Sequence, residues 1–289
     1  MTEILPTEIT QAKIRANYAL THSIFRMEIE APAIASQIRP GQFVMIRPSF
    51  GNDPLLGRPL AVYDALKGPE SQQIDTISVV YQVFGRGTGR LSQMQTGEDV
   101  RLWGPLGHAF DPDPMASRIW LVAGGIGYTP FLALGKWWLG TSDYGGISTE
   151  QSQPPVVEFL YGARSGSLLP PLEEFKQAGF TVEICTDDGS VGHHGRVTEL
   201  MSHKLTNGRE PNPDLIVACG PEAMLAAVSR WSESKNIRCL VSLENQMACG
   251  FGACFSCVAP IRQSDGSVDL RRVCLEGPIF DAQRVAWQD

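Results

Sequence analysis

From about residue 10 to residue 110 the chain runs in short β-type segments broken by Gly and Pro: Ala12 to Tyr18, Ile24 to Ile29, Gln42 to Arg47, Leu60 to Tyr63, Ile74 to Val83 and Asp99 to Leu102. Short strands at regular spacing with turn residues between them predict an antiparallel barrel. Inside that stretch Gly87 to Met94 reads as one short helix with Thr88 at its N-cap. After Asp111-Pro112-Asp113-Pro114, a boundary by turn chemistry, the pattern changes. Apolar strands, Ile119 to Ala123, Val156 to Tyr161, Thr181 to Cys185, Leu215 to Cys219 and Arg238 to Leu243, alternate with helical segments such as Phe131 to Leu139. That alternation predicts a parallel sheet covered by helices on both faces. The polar stretch Gly140 to Pro155 reads as a surface loop. From Glu244 onward Gly and Cys dominate and periodicity fades, leaving a unit with too little apolar material for its own core. The expected fold is α/β plus β: a barrel over 1–113, a parallel α/β domain over 114–243 and a small domain over 244–289, the last in need of a metal or a staple.

Length and composition agree with this division. A chain of 289 residues favours two or three domains, and 43% hydrophobic with 19% charged residues is far from the composition of disorder. No segment approaches the roughly 18 consecutive apolar residues of a membrane span. Met1 to Ala19 lacks the basic-then-apolar order of a signal peptide, so a cytoplasmic location and no membrane are expected. A net charge of −7 argues against nucleic acid, whose phosphates require clustered Lys and Arg.

Seven cysteines is an odd count, and three of them, Cys249, Cys254 and Cys257, fall within nine residues, with Cys274 after sixteen more. This is the plant-type 2Fe-2S spacing, in which one tight loop supplies three thiolates and a distant segment the fourth. Tetrahedral zinc is the alternative, although zinc sites usually pair two C-x-x-C knuckles and only Cys254 and Cys257 have that spacing. Cys185, Cys219 and Cys239 end or sit within apolar runs and read as buried small hydrophobes.

Three further motifs carry candidate chemistry. Gly124-Gly125-Ile126-Gly127-Tyr128-Thr129-Pro130 joins a strand to a helical run, where glycines let a pyrophosphate approach the backbone; Pro130 at the third glycine position leaves a plain turn open. Arg58-Pro59-Leu60-Ala61-Val62, with Tyr81 and Gly85-Arg86-Gly87-Thr88, offers a bidentate guanidinium and helix-start amides to a phosphate, or else a strand edge. Cys219-Gly220-Pro221-Glu222 closes a strand at the edge where open sheets bind ligands, so a partly exposed thiol there would meet a nicotinamide ring; a buried Cys before a turn fits equally. The histidines show no metal-ligand spacing, and Trp137 and Trp138 are expected to pack.

Taken in order, Arg-Pro-Leu-Ala, Gly-Arg-Gly-Thr, Gly-Pro-Leu-Gly, Gly-Gly-Ile-Gly, Thr-Asp-Asp-Gly-Ser, Cys-Gly-Pro-Glu-Ala-Met-Leu and Met-Ala-Cys-Gly-Phe-Gly-Ala-Cys form one series. From about Ala12 to Phe280 it resembles the ferredoxin-reductase superfamily and, within it, the electron-transfer subunits of dihydroorotate dehydrogenase B, whose ending is similar to Val273 to Phe280. The resemblance implies a barrel that binds FAD through Arg58, Pro59, Leu60, Ala61, Val80, Tyr81, Gln82, Gly87 and Thr88. It implies an α/β domain that binds NAD at Gly124, Gly125, Gly127, Thr129, Cys219 and Gly220, and a 2Fe-2S domain held by Cys249, Cys254, Cys257 and Cys274. Ala61 stands where the family has serine and Gln82 where it has arginine, so the tuning of the flavin departs from the pattern. The implied role is an oxidoreductase subunit of pyrimidine biosynthesis with no chemistry of its own on dihydroorotate. An FMN-containing dihydroorotate dehydrogenase catalytic subunit, joined with it in a heterotetramer, would supply electrons that pass by way of the 2Fe-2S cluster and FAD to NAD⁺. The reductase subunit of an NAD(P)H:ferredoxin or sulfide-oxidising complex shares these motifs, and a redox sensor would share the cluster. Arg164, after the second strand of the α/β unit, leaves NAD against NADP open.

Overall fold

The computed structural model describes residues 8–48, 53–68, 73–111, 116–148, 153–206 and 211–288. Most of the Asp111 to Pro114 boundary and residues 149–152 of the polar stretch lie outside the described residues. In the barrel, β1 (Glu8–Ala19), β2 (Ile24–Glu30), β3 (Phe43–Pro48), β4 (Arg58–Lys67), β5 (Ile74–Gln82) and β6 (Asp99–Leu106) close in the order β1-β2-β5-β4-β3-β6, all antiparallel. Period-two alternation drives closure: Ala12 and Ile14 of β1, and Met27 and Ile29 of β2, are buried in one apolar cluster, while Gln11 and Lys13 face out.

Two short helices decorate the barrel, α1 (Pro32–Ala35) and α2 (Arg86–Leu91). The expected start of α2 is corrected. Gly85, with extended backbone, is the N-cap, and Thr88 lies three positions into the helix. There its hydroxyl accepts from the backbone N–H groups of Phe84 (3.2 Å) and Gly85 (3.4 Å), the back-reaching half of a capping box. A threonine hydroxyl suits either place; the extended Gly85 decides which.

The second domain is a seven-stranded sheet. Its strands are β7 (Arg118–Gly124), β8 (Val156–Ala163), β9 (Thr181–Thr186), β10 (His193–His194), β11 (Leu215–Cys219) and β12 (Arg238–Ser242), followed after the hairpin β13 (Val258–Arg262) and β14 (Val268–Arg272) by β15 (Ile279–Asp281). The order is β10-β9-β8-β7-β11-β12-β15, parallel except for β15 against β12. Strands buried on both faces read as continuous apolar runs, and every residue of β11 is buried. One face of the sheet packs α3 (Phe131–Trp138) and α4 (Glu173–Gln177) through Leu121, Phe159 and Val217. The other packs α5 (Val197–Thr206) and α6 (Glu222–Ser234) through Val122, Leu160 and Ile216. Trp137 and Trp138 are both buried. The segment after residue 244, with α7 (Val273–Glu276), shares the second cluster, and its β15 completes the sheet edge.

One buried carboxylate braces this sheet. Glu158 on β8 accepts from Arg118 (2.5 Å), Trp120 (2.7 Å) and Lys204 (2.9 Å). Burial alone would raise its pKa, but the hydrogen bonds from Lys204, Trp120 and Arg118 outweigh burial and hold it below the usual carboxylate range. A folded pKa below the unfolded one means the unfolded chain binds the extra proton, so stability falls with falling pH. From about pH 5 downward the urea midpoint of the wild type should fall more steeply than that of Glu158→Gln. Parallel pH profiles would contradict this.

The first half of the polar stretch is the expected surface loop, with one exception. Tyr144 is 2% exposed, and its hydroxyl donates to Asp64 of β4 (2.6 Å). The same carboxylate accepts from Lys136 of α3 at 2.5 Å. The segment is polar by composition, yet one aromatic residue turns it into a strap across the two domains.

Candidate functional site

Arg58 begins β4, whose first four residues, Arg58, Pro59, Leu60 and Ala61, are all half-buried while Val62 to Asp64 are buried. The half-covered strand end adjoins the start of α2. A Cβ on Gly87 would lie 2.5 Å from Arg58 Nε, so only glycine lets the guanidinium rest on the first turn of that helix. Arg58 Nη1 donates to the carbonyls of Leu56 (3.0 Å) and Gly57 (3.1 Å), which fixes its direction. Arg86 pairs with Asp53, and Arg90 joins the same carboxylate at 3.1 Å. Gln82 is exposed and Thr88 buried. Strand alternation turns Tyr81 into the barrel, where its hydroxyl meets Asn17 at 3.1 Å, whereas Val80 faces the α/β domain.

At the carboxyl edge of the sheet two motifs pack backbone to backbone. Gly124 ends β7, a 3-10 turn covers Gly125–Tyr128, and Thr129, also buried, leads into α3. A Cβ on Gly127 would sit 2.3 Å from the carbonyl oxygen of Cys219, so the turn can lie on Cys219 and Gly220 only because it has none. Tyr161 of β8 supports the turn by donating to the carbonyl of Gly125 at 2.9 Å. Of the two readings of Cys219 the buried one holds: it is 3% exposed and burial pushes its thiol up. The reason is β11 itself, which has neighbours on both sides and helices on both faces.

The two regions meet. Tyr63, two residues beyond Ala61, packs edge-on against Tyr128 of the glycine turn with ring centroids 6.2 Å apart. Glu174 of α4 accepts from Tyr63 (2.7 Å) and from Arg26 of β2 (2.6 Å), whose guanidinium lies over the Tyr63 ring. Burial opposes its charge, but the bonds from Tyr63 and Arg26 prevail and hold its carboxyl below the ordinary range. Sequence reasoning missed Arg26, Tyr63, Asp64, Tyr128 and Glu174 as a set. Tyr128 lies within the glycine motif without having been singled out, and the other four lie outside any motif; only the burial of a charged residue on a strand, as at Arg26, would have marked one.

The four cysteines fall in two pairs, Cys249 with Cys254 and Cys257 with Cys274. Cys249 is half-buried and Cys254 exposed in a loop turned by Gly250 (φ 84°) and Gly252 (φ 87°). Cys257 and Cys274 are buried, and the Cys274 amide approaches the Cys257 sulfur at 3.5 Å. Hydrogen bonds from the Ser256 hydroxyl, then the Ser256 amide and Cys249, hold the Cys254 thiol down to about 6. Burial first, then Cys257, push Cys274 up to about 12. Arg272 braces the loop by donating to the carbonyl of Gly252 (3.0 Å) and covering the Phe255 ring at 4.6 Å. Among the described residues no three His, Cys, Asp or Glu side chains converge to hold a single metal ion. Phe251 and Phe255 beside the loop are 52% and 60% exposed.

Comparison with known proteins places this arrangement among relatives. Residues 244–286 match the family model for the iron-sulfur cluster binding domain of dihydroorotate dehydrogenase B. The chain is 33% identical over 98% of its length to the whole of the dihydroorotate dehydrogenase B (NAD(+)) electron transfer subunit of Desulforamulus reducens. It is 34% identical to the subunit of the same name from Listeria monocytogenes serotype 4b, over 96% of this chain and 98% of that one. Among solved structures, a chain of an NADH-dependent reduced ferredoxin-NADP oxidoreductase superposes with a TM-score of 0.78 at 27% identity, covering 96% of this chain and 90% of that one. The ferredoxin reductase of carbazole 1,9a-dioxygenase superposes at 0.64 with 19% identity, over 81% and 68% of the two chains, a likeness of fold.

Proposed function

The chain belongs to the family of electron transfer subunits of dihydroorotate dehydrogenase B, and from that membership we propose that it takes electrons from a catalytic partner at its cysteine loop and delivers them to NAD⁺ at the carboxyl edge of its sheet. The observation that carries the reading is the placement of three candidate sites along one path. The three-thiol loop seats on the barrel, since a Cβ on Gly250 would meet Met45 at 2.6 Å. The Arg58 and Gly87 edge lies on the same barrel, and the Gly124 to Gly127 turn meets it through Tyr63 and Tyr128.

The residues present fit the groups that the family implies. Two pairs of thiols suit a 2Fe-2S core, which takes one pair of thiolates at each iron, better than a single zinc ion. The half-covered Arg58 to Ala61 edge, with a guanidinium resting on Gly87, offers a cation and helix-start amides to the pyrophosphate of FAD. Gln82 presents a neutral side chain beside it, and Tyr81 contributes through the strand, its ring being committed to the barrel. Gly124, Gly125, Gly127 and Thr129 form the floor for the nucleotide; Cys219 and Gly220 support that floor from below by close packing. When bound, these groups supply hydride chemistry at one end and single electrons at the other. The protein holds them apart at set distances, and Trp137, Trp138 and the tyrosine cluster keep water from the seam between the domains. The domain limits 1–113, 114–243 and 244–289 belong to this reading.

A catalytic subunit carrying FMN would dock where Cys254, Phe251 and Phe255 are exposed together. The test is reconstitution. The isolated chain should oxidise NADH with artificial acceptors, yet show no dihydroorotate-dependent NAD⁺ reduction until a dihydroorotate dehydrogenase catalytic subunit is added. A stable complex, a heterotetramer on this reading, should form at the same time. If that subunit neither binds nor gains NAD⁺-linked activity while a ferredoxin-type partner does, the 27% identical oxidoreductase is the better guide to the partner.

A further inference from the structure

Trp103 of β6 touches two of the sites at once. Its indole N–H donates to the carbonyl oxygen of Cys249 at 2.9 Å, and its six-membered ring lies against Gly57, where a Cβ would stand 2.5 Å from Trp103 Cη2. Gly57 directly precedes Arg58, and Cys249 is the first thiol of the cysteine loop. The side chain is half-buried within the apolar cluster that also holds Cys257 and Cys274, and across the ladder it faces Met45, the residue on which Gly250 seats. One rigid ring system therefore spans from the start of the candidate flavin strand to the candidate cluster loop.

We infer that Trp103 is a positioning residue that sets the separation between the cluster and the flavin, holding Cys249 by its N–H and the Gly57–Arg58 edge by its ring. The inference rests on the reading above for what the two ends hold. Passage of single electrons falls off steeply with separation, so a loop free to drift from the barrel would slow every turnover. One electron leaves one centre and enters the other at each passage, two passages accompany each NAD⁺ reduced, and Trp103 itself is neither oxidised nor reduced. Its rigidity suits this role, because an indole has two torsions and a donor fixed in the ring plane, and a positioning group must hold its geometry to within about 0.5 Å.

The test uses the full chain and two variants, Trp103→Phe, which keeps an aromatic ring over Gly57 but has no N–H, and Trp103→Leu. Hydrogen exchange of the amides from Cys249 to Gly252, measured on cluster-free protein prepared alike for all three, should quicken about tenfold in Trp103→Phe, the consequence of one lost hydrogen bond, with barrel amides unchanged. In loaded protein mixed with NADH, bleaching of the flavin should keep its rate in Trp103→Phe, which retains a ring over Gly57, while reduction of the cluster should slow about tenfold or more in both variants. Unchanged exchange in Trp103→Phe overturns the inference whether or not that variant retains iron. So does an unchanged rate of cluster reduction in a variant that loads fully. A wild-type chain that binds no flavin or no iron is a failure of the functional reading instead, and is recognised before either variant is made.

Discussion

Cys254→Ser is expected to remove the iron absorption while leaving FAD bound, and Arg58→Ala to weaken FAD while leaving the iron in place. The first effect should be complete. Cys254 is exposed and contributes little to packing, so its loss leaves the fold intact, whereas a core held by four thiolates loses one of the two thiolates at one iron. Protein purified without air should contain two irons per chain, the stoichiometry of a 2Fe-2S core, and no zinc. The second effect should be roughly 1.5–3 kcal/mol, the range for a charge-assisted hydrogen bond. Metal analysis together with a flavin titration on both variants decides the matter. Stoichiometric zinc in the anaerobic protein would end the iron–sulfur reading, and an unchanged flavin dissociation constant in Arg58→Ala would place the phosphate elsewhere.

Asp64→Ala should be among the most destabilising substitutions in the chain. Asp64 is 3% exposed and takes three donors: Lys136 at 2.5 Å, the Tyr144 hydroxyl at 2.6 Å and its neighbour's amide at 2.9 Å. Burial, and then the proximity of Asp64, raise the Tyr144 pKa, so the hydroxyl keeps its proton and remains a donor. Removing the carboxylate strands a cation and a buried hydroxyl, and breaking such a pair costs about 3–5 kcal/mol. Lys136 retains 25% side-chain exposure, which lets solvent recover part of its charge and puts the expectation at the lower end, about 3 kcal/mol. Replacing both partners with apolar residues, Asp64→Leu with Lys136→Met, should cost much less than the single change, because no unpaired charge remains. Urea midpoints for the wild type, Asp64→Ala and the double variant measure the difference. A double variant as unstable as Asp64→Ala would mean that the packing of the strap, and not the charge pair, joins the domains.

Short β-type runs between Gly and Pro were enough for the barrel strands, because strand preference and turn chemistry act over a few neighbouring residues. Continuous apolar runs were enough for β7, β8, β9, β11 and β12 for the same reason, and thiol spacing proposes Cys249, Cys254 and Cys257 of one loop, with Cys274 from a separate segment, as a candidate set. Tertiary structure alone decided what joins these parts. Arg26 and Glu174 lie 148 positions apart, and Trp103 and Cys249 lie 146 apart. No local preference encodes such a pair, since each partner is an ordinary strand, helix or loop residue until the domains are packed. Cys219 shows the same limit at a single position: as the last residue of a strand it suits either an exposed or a buried thiol, and it is buried because β7 and β12 flank it and Gly127 closes over its carbonyl. β15 is three residues long, too short for any periodicity to announce it. It becomes a strand because β12 leaves an edge of the sheet open beside it, and pairing there satisfies backbone groups that either segment alone would leave to water.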